Sequence, residues 1–359
     1  MAIAPVIKIG LGGLVALALL APIALLAAPF MLVSGLARWI ARQIEPRVVG
    51  WQQIMTFDPA LGWRPAPALD THCLSEPYGE IFHVTTDQHG WRGRRSLAAS
   101  RIVVLGDSFA FGYGVDDEDC FTAALSEHPT KAVGAPGYNM VQELILLREI
   151  APLIRGKLVV WFVYVGNDLF DNLNPTMTGY RTPFLAQSPA TGAWEMVTRH
   201  LRPERVLHNA DVLHRQHREM LGHTYCSTRL TERAFSACRH LLNEGSRICR
   251  EAGARLVVLT LPDHFELSKG GLRRLRSYSA QPESFDPDLP HKRVRQICDE
   301  LGVECLSARH ALRASDYNAG DRHWTPAGHR RVAELIRGIA RSASESSTGH
   351  ERQQAVAAL

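Results

Sequence analysis

The sequence predicts an α/β fold in which helices cover both faces of a parallel sheet. From residue 101 onward, short apolar runs of strand length alternate with longer segments of helical periodicity, and this alternation is typical of doubly wound sheets. Residues 102–105 (IVVL) are apolar throughout, as expected of a central strand that is covered on both faces. In such sheets, ligands collect at the edge formed by the carboxyl ends of the strands.

Each predicted element follows from its apolar pattern and from the turn residues that bound it. The predicted strands are 101–107, 131–134, 157–165, 254–261 and 303–306. The predicted helices are 140–154, 228–252, 290–301 and 326–341. Residues 41–98 are predicted to be a loop-rich linker with a small strand and turn within 82–93, and the polar segment 342–359 is predicted to be a disordered tail.

Composition and charge exclude several classes of protein. The formal net charge of +4 over 359 residues is too small to indicate nucleic acid as a partner. The seven cysteines show neither zinc-site spacing nor the pattern of a disulfide framework, so neither a metal nor a cofactor is expected. Neither GxSxG nor GxxxxGK[ST] occurs, which speaks against an α/β-hydrolase nucleophile elbow and against a P-loop.

The N-terminal residues 1–40 are predicted to be an uncleaved membrane anchor. No charged residue occurs from 9 to 37, and about twenty apolar residues suffice to span a bilayer as a helix. Arg38, Arg42 and Arg47 follow this stretch and, taken alone, favour a cytoplasmic position for the remainder of the chain.

The strand at 101–107 ends in Gly106-Asp107-Ser108, which presents a hydroxyl at the ligand-binding edge. A helix cap would explain Asp107 and Ser108 equally well if this tripeptide stood alone. Three further segments reach the same edge, namely GAPGYN with Gly137, GND with Asn167, and DRHW with Asp321 and His323. Together they supply a nucleophile, a base, an acid that orients the base, and amide donors, which are the groups that acyl chemistry requires.

These four blocks, in this order, resemble the SGNH hydrolases, also called the GDSL lipase/esterase family, over residues 99–341. The DRHW segment resembles the Asp-x-His-Trp motif of alginate O-acetylation proteins, and LGW and TTDQHGWRG resemble segments of membrane-anchored bacterial members. The resemblance implies a three-layer α/β/α sandwich with a parallel, flavodoxin-like sheet. The chain departs from the family at Gly320, Ala132 and Val165, where many members carry Asp, Asn and Gly.

The resemblance also implies a role for each site residue. Ser108 would be the nucleophile, His323 the base, and Asp321 the acid that orients the histidine. The oxyanion hole would consist of the backbone N–H groups of Ser108 and Gly137 and the side-chain amide of Asn167.

Three neighbouring residues are expected to be structural. Asp107 and Asp168 are expected to support their loops, and His329 to be structural rather than a second base.

The expected function is that of a serine esterase that removes acyl groups, above all O-acetyl groups, from a carbohydrate or another small ester. The alternatives are an O-acetyltransferase acting on a surface polysaccharide, and a non-catalytic protein that binds or assembles polysaccharide. Residues 169–226 are predicted to form a lid-like insertion, and the basic run 269–276 a solvated loop, or else a surface that meets anionic glycan or lipid headgroups. The family analogy places the catalytic domain in the periplasm, on the bacterial inner membrane, with the cytoplasmic face as the alternative.

Overall fold

The structure of the protein is a computed structural model that describes residues 48–75, 79–177, 179–206, 210–320 and 322–357, without the side chains of 210–214 and 343–357. Numbered along the chain, the strands are β1 (Val48–Gly50), β2 (Met55–Asp58), β3 (Gly62–Pro65), β4 (Asp70–Ser75), β5 (Glu80–Thr85), β6 (Ile102–Gly106), β7 (Thr130–Gly134), β8 (Leu158–Tyr164), β9 (Thr176–Met177), β10 (Tyr180–Arg181), β11 (Phe184–Gln187), β12 (Trp194–Val197), β13 (Arg255–Leu261) and β14 (Glu304–Ser307). The helices are α1 (Ser108–Phe111), α2 (Phe121–Ala124), α3 (Met140–Ile150), α4 (Asp168–Asp171), α5 (Ala210–Thr224), α6 (Arg229–Ala252), α7 (Lys269–Tyr278), α8 (Leu289–Leu301) and α9 (Pro326–Ala357).

The central sheet contains five parallel strands in the order β14, β13, β8, β6, β7. The first strand of this sheet along the chain, β6, therefore lies between the second and the third, which is the flavodoxin-like order. The predicted α/β fold with a parallel sheet is confirmed. The strand order reverses between β6 and β8, and this switch point is where open α/β sheets bind ligands.

Two hydrophobic cores, one on each face of the sheet, hold the helices in place. Successive residues of a strand point to opposite faces, so Val103 and Leu105 enter one core while Ile102 and Val104 enter the other. The first core contains residues of α3, α6 and α8, and the second contains residues of α2 and α9. The apolar sequence of β6 is therefore required on both faces, as the sequence predicted.

The segment before the sheet has more regular structure than the predicted loop-rich linker. The strands β1, β4 and β5 form a three-stranded sheet, and β2 and β3 form a hairpin. The pairing of β1 with β4 is parallel and joins residues that are distant along the chain, so no local sequence pattern signals it. Phe82 and Val84 of β5 pack against Phe111 of α1, which attaches this segment to the helix that carries Ser108.

In the described part of the predicted insertion 169–226, two short hairpins and α5 follow the end of α4. The helix predicted near 204–221 is Ala210–Thr224. Asn139 Nδ2 of the body donates to the carbonyl of Pro183 at 3.0 Å, and the ring of Tyr180 lies 4.8 Å from that of Trp63. The insertion is therefore joined to the body of the protein through side-chain contacts.

Two predictions for the C-terminal half differ from the structure. The basic run 269–276 lies in the amphipathic helix α7 and not in a loop. Leu272 and Leu275, three residues apart, lie on the inward face of this helix, and the arginines of the run are exposed on its other face. Residues 342–357 continue α9 instead of forming a disordered tail, because adding a residue to an existing helix avoids the cost of nucleation.

The predicted membrane anchor, residues 1–40, lies outside the described residues. Within the described part of the chain, every helix is too short or too polar to cross a bilayer.

Candidate active site

Ser108 lies at the carboxyl end of β6, at the switch point of the sheet. The Asp107 carboxylate accepts a hydrogen bond from the backbone N–H of Phe109 at 2.9 Å, which caps the short helix that begins at Ser108. The neighbouring strand approaches so closely that a Cβ on Gly134 would lie 1.8 Å from the carbonyl oxygen of Gly106. Glycine is therefore required at 134 for the strand ends to meet.

His323 faces Ser108 from the loop that precedes α9. Its Nε2 lies 2.8 Å from Ser108 Oγ, which is hydrogen-bond distance. The imidazole packs between the rings of Phe109 and Tyr113, with centroids 5.2 and 4.8 Å away. The contact therefore has both the distance and the enclosure that a nucleophile–base pair needs.

The loop that carries His323 is fixed at both of its ends. Tyr317 and Trp324 form an isolated antiparallel β-bridge, and the N–H of Asn318 donates to the carbonyl of His323 at 2.8 Å. The Trp324 side chain is 1% exposed and lies 4.7 Å, ring to ring, from Phe109. Burial of this tryptophan therefore holds the adjacent histidine over α1.

Asp321 lies outside the described residues. Asp316, the other acid in the segment that leads to His323, has its carboxylate engaged elsewhere. It accepts the backbone N–H of Arg313 at 2.8 Å and lies 2.9 Å from Nε of Arg331. Asp316 therefore ties the loop to α9.

Gly137 and Asn167 follow the two strands that flank β6. Gly137 has φ +78° in the turn after β7, and Asn167 precedes α4 after β8. Because Gly106 pairs with Gly134, and Leu105 with Trp161, the structure brings the segments of Ser108, Gly137 and Asn167 to one edge. Asn167 Nδ2 donates to Asp171 Oδ2 at 2.8 Å, which orients the amide.

Four buried carboxyl groups surround this edge from inside the protein: Asp107, Glu143, Asp168 and Asp171. Burial raises the pKa of Asp107 to about 6 and that of Asp171 to about 7, and it also raises those of Glu143 and Asp168. Asp168 accepts the backbone N–H of Tyr164 at 2.7 Å, and Glu143 accepts the indole N–H of Trp161 at 2.5 Å. These contacts give Asp107 and Asp168 the loop-supporting bonds expected of them.

Sequence reasoning missed Glu143 and Asp171. Asp171 follows Asn167 by four residues, a helical spacing that brings two side chains together, so a signal existed. Glu143 lies within an ordinary helical pattern and offered none.

His329 is 1% exposed, and its ring is stacked on Phe121 at 5.9 Å. Its Nδ1 accepts the backbone N–H of Phe121 at 3.3 Å. Burial lowers the pKa of His329 to about 3, so the ring stays neutral and packs within the core.

No protein-family model matches the chain, and no curated protein matches it by sequence. Its structure is similar to a carbohydrate acetylesterase family member from Sinorhizobium meliloti, with 13% identity, covering 68% of this chain and 98% of that chain at a TM-score of 0.39. It is also similar to an inhibitor-bound M. smegmatis aryl esterase, with 12% identity, 68% and 99% coverage and a TM-score of 0.39. A GDSL-like lipase from Bacteroides thetaiotaomicron gives 13% identity, 70% and 92% coverage and a TM-score of 0.35. At these identities and TM-scores, the functional argument rests on the residues of the site.

The raised pKa of Asp171 predicts how stability depends on pH. Between pH 4 and 7 the unfolded chain loses this proton while the folded chain keeps it, so this group makes the folded state less stable as pH rises. Asp171→Asn keeps an acceptor for Asn167 and removes the titration. The variant should exceed the wild type in free energy of unfolding at pH 8, by about 1 kcal/mol or more, and the difference should vanish near pH 4.

Urea unfolding of the purified chain at a series of pH values measures this difference. The exposed Asp299→Asn variant is the matched control, and its curve should follow that of the wild type. Parallel curves for Asp171→Asn and the wild type would show that Asp171 is ionised in the folded state from low pH.

Proposed function

We propose that the protein is a serine hydrolase that cleaves carboxylic esters through an acyl-enzyme. The observation that carries this proposal is the 2.8 Å contact between Ser108 Oγ and His323 Nε2 at the switch point of the sheet. A nucleophile within hydrogen-bond distance of a general base is the arrangement that acyl transfer needs. A protein that only binds polysaccharide has no need for such a pair.

Each step of the proposed reaction uses a residue of this edge. Ser108 Oγ bonds to the ester carbonyl carbon while its proton passes to His323 Nε2. The tetrahedral intermediate then expels the alcohol, which takes the proton from the imidazolium, and an acyl-serine remains. Water, deprotonated by His323, attacks the acyl-serine and releases the carboxylic acid, and the proton returns to Ser108 Oγ.

The negative charge of the intermediate needs fixed donors. We assign this role to the backbone N–H groups of Ser108 and Gly137 and to the side-chain amide of Asn167. The bond from Asn167 to Asp171 supports this assignment, because an amide that is held before the reaction costs no reorganisation when the charge develops. Asp321 is assigned the role of orienting His323.

The proposed substrate is an O-acetylated carbohydrate. Support comes from the DRHW segment, which resembles the motif of alginate O-acetylation proteins. The same acyl-enzyme can pass its acetyl group to a sugar hydroxyl instead of water, and transfer is therefore the alternative reaction.

Removing either member of the Ser108–His323 pair should abolish turnover and leave the fold intact. Ser108→Ala and His323→Ala should each lower kcat for an acetyl ester by about 10⁴-fold or more, because the two side chains act as one unit. The exposed Ser284→Ala and His310→Ala variants are the matched controls. Activity of Ser108→Ala within tenfold of the wild type would exclude the serine mechanism.

The orienting acid can be identified by a pair of Asp→Asn variants. Asp321→Asn should lower kcat by as much as about 10⁴-fold with little change in the melting temperature, because the wrong histidine tautomer is then favoured. Asp316→Asn weakens an ion pair with Arg331 and should lower stability more than kcat. The reverse pattern in kcat would assign the orienting role to Asp316.

Hydrolysis and transfer can be separated by their products. The chain is incubated with an acetyl ester, with and without oligosaccharide acceptors, and free acetate is measured beside acetylated sugar. Hydrolysis predicts that acetate is released at the same rate in both reactions. Acetylated sugar formed at the expense of acetate would identify the protein as a transferase.

We also propose that residues 1–40 anchor the protein in the inner membrane of a bacterium, with the catalytic domain in the periplasm. Support comes from the uncharged stretch 9–37 and from the resemblance to proteins of exported glycans. Alkaline phosphatase fused after residue 359 should be active, because it folds only outside the cytoplasm. An inactive phosphatase beside a bright fluorescent-protein fusion would place the domain in the cytoplasm.

A further inference from the structure

A cationic and aromatic cluster lies beside the catalytic loop. The guanidinium groups of Arg322 and Arg274 both face the ring of Phe265, with their carbon atoms 5.5 and 4.9 Å from its centroid. The ring of His264 lies 3.9 Å from the same phenyl ring, and Arg322 Nη1 lies 3.5 Å from His217 Nε2. These five residues, here called the Arg322 cluster, come from four different segments of the chain.

His264 of this cluster has a carboxylate partner, since its Nδ1 lies 3.2 Å from Asp263 Oδ1, but the two arginines have none within the described part of the chain. Neither Arg322 nor Arg274 forms an ion pair with any carboxylate among the described residues, whereas many other arginines there do. The buried carboxylate of Asp263 is engaged by the hydroxyl of Tyr164 at 2.8 Å and by the N–H of Phe265 at 2.8 Å. Two guanidinium groups that share one aromatic ring repel each other unless an anion lies between or beside them.

Arg322 occupies a strained position directly before His323. Its φ of +66° lies in the left-handed region, which glycine and asparagine adopt at lower cost than arginine. Arginine therefore stands here at a cost in backbone conformational energy that glycine or asparagine would reduce. Strain of this kind is concentrated at sites of function.

Arg322 directly precedes His323, whose Nε2 lies 2.8 Å from Ser108 Oγ. The ring of His264 in the cluster lies 6.4 Å from that of Tyr317, which itself lies 6.3 Å from the ring of Phe109. Burial raises the pKa of Tyr164, and the positive charge of Arg322 opposes that rise. Tyr164 ends the strand that leads to Asn167, and its ring lies 4.6 Å from that of Phe109, the residue after Ser108. The cluster therefore adjoins the segments that surround the nucleophile.

We infer that Arg322, with Arg274, binds an anionic group of the substrate, a carboxylate or a phosphate carried by the same molecule as the scissile ester. The inference rests on the proposed esterase function and adds the charge of the substrate to it. Guanidinium groups suit both anions, because their planar N–H pairs bind two oxygens at once. The ring of Phe265 lies within cation–π distance of both guanidinium groups and so attracts both to one place.

The test compares three acetyl esters that differ only in charge: an acetylated methyl hexuronate, an acetylated hexose phosphate and a neutral acetylated hexoside. Arg322→Asn removes the charge and keeps a residue that tolerates a positive φ, and Arg274→Gln removes the second charge. Arg276→Gln, which changes an exposed arginine of the same helix, is the matched control. The full chain is used throughout, at low and at high salt.

The wild type should favour one or both anionic esters over the neutral ester in kcat/KM, and salt should weaken that preference. Arg322→Asn should lower kcat/KM for the preferred anionic ester by about tenfold or more relative to its effect on the neutral ester. The loss should appear mainly as a higher KM, and its size is that expected for removal of a hydrogen bond to a charged group. The hexuronate and the phosphate distinguish a carboxylate from a phosphate ligand. Equal losses on all three esters, or no preference in the wild type, would overturn the inference.

A binding measurement separates this inference from the proposed esterase function. Calorimetric titration with unacetylated hexuronate and hexose phosphate should show binding to the wild type, and this binding should be lost in Arg322→Asn and retained in Arg276→Gln. Binding without any ester turnover would support the anion site and refute the esterase. Absence of anion binding, with turnover of the neutral ester, would refute the anion site alone.

Discussion

The hydrogen bond between Ser108 and His323 joins two segments that are 215 residues apart in the chain, and the fold is arranged to hold them there. Ser108 is fixed by the end of β6, whose side chains fill both cores. His323 is fixed by its neighbour Trp324, which packs on Phe109. The contact between Phe109 and Trp324 therefore holds the residue after the nucleophile against the residue after the base. Movement of the loop that carries His323 would separate the pair.

Behind this pair, the protein keeps four carboxyl groups away from water. Burial raises their pKa values, so that they are protonated more readily than exposed acids. They bind backbone and side-chain N–H groups of the segments that carry Ser108 and Asn167. Hydrogen bonds to these acids therefore hold the segments that carry Ser108 and Asn167 in place. Because their pKa values are raised, these acids carry less negative charge than exposed acids would, beside an edge that must stabilise a developing negative charge.

The parts predicted from sequence were those that local patterns determine. Apolar runs indicated β6 and β8, and because parallel strands end at one edge, the sequence placed Ser108 and Asn167 together. The pairing of β1 with β4, the burial of Glu143 and the contact of Arg322 with Phe265 depend on residues that are distant in the chain. No window of sequence contains both partners of such contacts. Asp321 lies outside the described residues, so its role stays a prediction.

The central claim is that Ser108 is the nucleophile and that His323 activates it. A fluorophosphonate probe reacts irreversibly with activated serines, and mass spectrometry of the digested chain identifies the labelled residue. The account predicts one label, on Ser108, with loss of esterase activity in step with labelling, and much slower labelling in His323→Ala. Labelling of another serine would contradict the account, and so would full esterase activity of protein that is completely labelled at Ser108.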